Sequence, residues 1–139
     1  MSWLAWALLS ALFAAITAIL AKIGVQEISA NLATAIRTTV VLALAWSVAW
    51  ATRPPSGFNG VSRRTLLFLI LSGLATGLSW LCYFRALQLA PVSKVAPLDK
   101  LSLPLAIVLA TIFLAERPLG REWIGIGLMV CGTIVLAWK

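Results

Sequence analysis

Five continuous apolar runs leave this chain little room for anything but membrane-spanning helices. They cover residues 3–22, 30–51, 65–89, 92–115 and 123–138. A spanning helix needs about 20 largely apolar residues. The first four runs meet that length, and the fifth is short, with Glu122 and Lys139 at the interfaces. Barrel strands would alternate apolar and polar residues over about ten positions, whereas these runs are unbroken. The first run is no cleaved leader by its pattern: nothing before Lys22 is charged, and the later runs are equally apolar. The expected fold is an all-α integral membrane bundle of five transmembrane helices. Residues 1–139 form one domain, with no soluble domain beside it. The longest polar connection is "TRPPSGFNGVSRR", Thr52–Arg64, rich in turn formers.

Composition agrees with the runs. Of 139 residues 62% are apolar, and mean hydropathy is +1.03. A soluble domain of this size could not hide that much apolar surface from water. Eleven Lys and Arg against four acids leave a net charge of +7. The bases sit mostly at helix ends, so the partner they imply is membrane lipid, through anionic headgroups, and not nucleic acid. With no histidine and no CxxC, neither a metal site nor a cofactor is expected, and Cys82 and Cys131 lie inside helices. The few scattered acids and the absence of a nucleophile motif argue against an enzyme.

Let side A hold the N-terminus. Side A then receives Arg53, Arg63, Arg64, Arg117 and Arg121, and side B receives Lys22, Arg85, Lys94 and Lys139. This near balance leans toward side A in the cytoplasm of an inner (plasma) membrane and also permits insertion in both orientations. Trp3, Trp6, Trp46, Trp50 and Trp123 fall at side A ends, and Trp138 at side B. Trp80 belongs to neither belt.

The remaining charges gather in the B half. Arg37 lies six residues past Asn31 in helix two, roughly 9 Å along its axis. At about 100° per residue, Asn31, Thr34, Arg37 and Thr38 share one stripe. In the fourth helix Ser93, Pro97, Lys100 and Pro104 share an arc, and Asp99 points away from Lys100. No base lies at i±3 or i±4 from Asp99, so its partner is expected from another helix, with Arg37, Arg85 or Lys22 as candidates. Two readings stand side by side. Asp99 is an early-turn acid and the bases snorkel to headgroups, or these groups line a solute path that is net positive and suits anionic or zwitterionic solutes. Pro104 either kinks the helix structurally or opens a cavity-lining break.

Helix three carries "GLATG", in which Gly73 and Gly77 have the spacing of close helix contacts. Trp80 and Phe84 continue that face, with Tyr83 beside it. The pattern suggests a close-packed A half opening into an aromatic B half, or packing alone. Gly125 and Gly132 mark similar contacts on the last helix, some of them between subunits.

The segment from Tyr83 to Trp138 resembles the end of an EamA-type unit of the drug/metabolite transporter superfamily. The resemblance rests on the "AL…AP" bend at Ala86–Pro91, Pro104, Glu116 and the spaced Gly125 and Gly132. Lys22 ending helix one and Arg37 in "AIR" extend it forward. It implies transport of metabolites or amphipathic solutes by two inverted five-helix units, of which this sequence holds one. Arg85 and the Asp99–Lys100 pair depart from the expected apolar pattern. The acid in helix one used by related four-helix exporters has no counterpart here. The expected function is therefore a small-molecule transporter working as a homodimer of inverted units, with a half-transporter or non-transporting subunit that needs another chain as the alternative. The expected path residues are Arg37, Trp80, Tyr83, Lys100 and Pro104. Asp99, Arg37 and Arg85 form the charge pair or gate, and Gly73, Gly77, Gly125 and Gly132 the packing faces.

Overall fold

The structure, a computed structural model, describes residues 2–52 and 61–138. Arg53, Lys139 and most of the Thr52–Arg64 connection lie outside the described residues. The described residues form six helices in order: α1 Trp3–Gly24, α2 Ala30–Thr52, α3 Arg63–Leu89, α4 Val92–Asp99, α5 Ser102–Phe113 and α6 Gly120–Ala137. With α4 and α5 counted as one span, five spans are long and apolar enough to cross a membrane. The described residues contain no strand. The protein is a multi-pass, all-α membrane protein.

Serines start the first three helices. Ser2, Ser29 and Ser62 each accept an N–H from three residues on, which satisfies a donor that the helix itself leaves open. The turn between α3 and α4 falls at Ala90–Pro91. Pro91 is extended (φ −68°, ψ 151°), and a residue preceding proline is kept out of the helical region.

The fourth span is interrupted, and the position of the break follows from its prolines. Pro104 has no N–H to offer the Lys100 carbonyl, which takes the Leu103 N–H at 3.0 Å instead. Lys100 N–H and Leu101 N–H likewise bond three residues back, to Pro97 and Leu98, both at 3.0 Å. The backbone tightens over these residues and the α-helix lapses at Lys100–Leu101. Pro104 thus opens α5 near its first turn rather than kinking a continuous helix, and the carbonyl it frees is already used. The span also ends earlier than expected, at Phe113 rather than near Glu116, with Ala115 in the left-handed region (φ 55°). The last helix begins at Gly120, three residues before the expected start, because the Glu122 carboxylate accepts the Leu119 N–H at 2.7 Å and caps it.

The chain divides into two compact units, Met1–Leu20 with Leu89–Lys139, and Ala21–Gln88. In the first, α4 and α5 pack on α6, and Val95, Pro104, Ile126 and Thr133 are buried. In the second, burial is concentrated toward side B: Ala21, Val25, Ala30, Ala33, Thr34, Phe84 and Leu87. Most other span residues are exposed, so in a bilayer they meet lipid or another chain.

Candidate functional site

The unit Ala21–Gln88 holds the most developed polar arrangement. Arg37 stands seven residues into α2, about 10 Å from its start, and Trp80 nine residues from the end of α3. The Arg37 guanidinium lies over the Trp80 ring, 4.2 Å from its centroid, and 5.6 Å from that of Phe84. Tyr83 meets Phe84 edge-on at 6.4 Å and is within electrostatic reach of the guanidinium. Six tryptophans are exposed, as membrane belts require, while Trp80 alone is half-buried. Its separateness from the belts is therefore visible in both position and environment.

The stripe on α2 resolves into two kinds of group. The Thr34 hydroxyl donates to the Ala30 carbonyl (2.8 Å) and that of Thr38 to Thr34 (2.7 Å). These side chains satisfy themselves on their own helix. Arg37 does not: its contacts are with rings, and its N–H groups make no hydrogen bond among the described residues. Neither α2 nor α3 contains an acid.

Below this level, a strap closes the B end. Gln88 donates to the carbonyls of Ile28 (2.8 Å) and Val25 (3.3 Å), and its own carbonyl oxygen accepts from Arg85 at 3.0 Å. Lys22 donates to the Leu87 carbonyl. Carbonyls left open at the ends of α1 and α3 are thereby used, around the fully buried Val25 and Leu87. Arg85 accordingly serves Gln88. Gln88 itself escaped the sequence reading; its position one turn after Arg85 on the α3 terminus is the only signal it offers.

In the other unit, Asp99 Oδ2 meets Lys100 Nζ at 3.4 Å, with the lysine 53% and the aspartate 35% exposed. Within this unit Asp99 meets the adjacent base; an unbroken helix would make neighbours diverge by about 100°, a constraint that the break at Lys100–Leu101 removes. Asp99→Asn and Lys100→Gln should each shift unfolding by less than about 1 kcal/mol, as for a solvated pair. Thermal unfolding in detergent checks this, and a severe loss for Asp99→Asn alone would restore a distant partner.

A Cβ built at Gly73, Gly77, Gly125 or Gly132 meets no described atom within 4 Å beyond its own helix backbone and chain neighbours. Within the unit Ala21–Gln88 the buried residues gather toward the B end. A cleft of about 410 Å³ is lined by Ile107, Glu116, Arg117, Pro118 and Glu122 near the α5–α6 connection. Cys82 and Cys131 are free thiols. Among the described residues no cluster of His, Cys, Asp or Glu could hold a metal ion.

A family model for the EamA-like transporter family matches residues 1–138. The chain belongs to the EamA-like transporter family. A protein from Sinorhizobium sp., named an uncharacterized transporter in the cobO 3′ region, is 47% identical over 136 residues, covering 98% of this chain and 96% of the relative. A probable 4-amino-4-deoxy-L-arabinose-phosphoundecaprenol flippase subunit, ArnE, of Yersinia pseudotuberculosis is 28% identical over 74 residues, 53% of this chain and 65% of that protein. No solved structure matches this EamA-like chain. Family and relatives point to a transporter rather than an enzyme.

Proposed function

We propose that the chain is one half of a small-solute transporter in the inner membrane, assembling as a homodimer of five-helix units of opposite orientation. The observation that carries the reading is Arg37, a guanidinium in a membrane span whose described partners are aromatic rings. An intramembrane charge is costly to keep and marks a solute or ion path by default. Arg37, Trp80 and Tyr83 bind the solute in this reading. Lys100 and Pro104 remain path residues by their position at the break of the fourth span, which supplies a hinge. Size supports assembly from halves: the relative from Sinorhizobium is matched over 96% of its length by this one unit.

An odd number of spans puts the N- and C-terminal sides of the chain on opposite faces of the membrane. Two copies mimic an inverted pair only if they insert in both orientations, and the near-balanced charge count permits it. A second reading draws on the relative named as a flippase subunit: this chain pairs with a different chain, and the solute is an amphipathic, lipid-linked compound. A reporter fused after Lys139 separates the two. Signal from both faces is expected; one face in every molecule sinks the antiparallel homodimer and leaves the mixed pair.

A further inference from the structure

We infer that Arg37 is the receptor for an oxyanion, a phosphate or carboxylate group, held in the plane of its guanidinium beside the Trp80 ring. Four observations lead there. The guanidinium lies 4.2 Å from the Trp80 centroid, so the ring engages its face. A ring contact leaves the N–H donors at the guanidinium edge unused, and that fork matches a carboxylate or phosphate with two parallel bonds. None of those donors makes a hydrogen bond or ion pair among the described residues, and α2 and α3 carry no acid that could supply one. The neighbouring hydroxyls of Thr34 and Thr38 have already turned their protons to their own helix. The half-buried Trp80 and Tyr83 rings offer apolar surface for the remainder of an amphipathic anion. The sequence places Lys100 among the path residues beside Arg37, but Lys100 has its acid beside it at 3.4 Å. Arg37 is the base with an opening for another.

The inference rests on the transporter reading for the anion's role as cargo. The oxyanion itself has two sources, a solute or the headgroup of a bilayer lipid. Both are tested by binding, which does not require transport. The purified full chain is placed in phosphatidylcholine nanodiscs and titrated with hexyl phosphate, against empty discs. Hexyltrimethylammonium and hexanol serve as cationic and neutral controls. Hexyl phosphate should bind at least tenfold more tightly than either control. Arg37→Gln should weaken it at least tenfold, and Arg37→Lys, which keeps the charge and loses the fork, should fall between. Should Arg37→Gln fail to fold, Arg37→Lys carries the comparison alone. Discs containing phosphatidylglycerol then separate the sources: competition identifies a lipid headgroup as occupant, and unchanged affinity a free solute. Equal affinity in parent and both variants, or equal binding of hexyltrimethylammonium, overturns the inference. Binding without flux leaves it standing and removes the transporter reading; flux without anion preference does the opposite.

Discussion

Arg37→Met should raise the unfolding midpoint and abolish solute flux in the same preparation. The two effects have opposite signs if, as proposed, the solute needs Arg37, because a charge in a membrane span is costly to the fold. A cation on a ring recovers about 0.5–2 kcal/mol. Placing an arginine in the middle of a helix within the membrane costs about 2.5–3.5 kcal/mol on insertion scales. Methionine fills similar length against Trp80 without the charge, so a gain of about 1 kcal/mol is expected. Flux loses two charge-assisted hydrogen bonds, together about 3 kcal/mol, or about a hundredfold. Thermal unfolding in detergent and uptake into liposomes read the two effects. A destabilised variant with normal flux would make Arg37 a structural residue that pins α2 to α3.

Gly73→Leu and Gly77→Leu should leave a folded monomer and weaken the dimer about ten- to hundredfold. Overpacking a close contact costs about 1–3 kcal/mol. The structure sharpens what these variants do. No described atom outside its own helix backbone and chain neighbours lies within 4 Å of either added Cβ, so a leucine there meets no described neighbour in the unit Ala21–Gln88. Light scattering in detergent together with far-ultraviolet circular dichroism reports both properties. Loss of helicity contradicts the open face, and an intact dimer assigns the face to lipid.

Five spans were legible because continuous apolar runs have few other solutions. The start of α6 was not, since Glu122 looked like an interfacial acid and is instead the cap that draws Gly120 and Arg121 into the helix. The break in the fourth span was half legible. Pro97 and Pro104 announced it, but its place at Lys100–Leu101 depends on three successive bonds to residues three back, and it changes which base Asp99 meets. Arg37 and Trp80 each stood out alone, one as a deep charge and one as a tryptophan outside the belts. Their contact is a tertiary fact about α2 and α3 that no periodicity within either helix contains. Gln88 was invisible for a simpler reason: its partners are backbone carbonyls, which every residue has.

Uptake of hexyl phosphate into liposomes holding only the purified chain decides whether the chain moves an anion by itself. Saturable uptake faster than in protein-free liposomes, lost in Arg37→Met, is the expected result. Uptake no faster than in protein-free liposomes, from a preparation shown to be folded and dimeric, contradicts it.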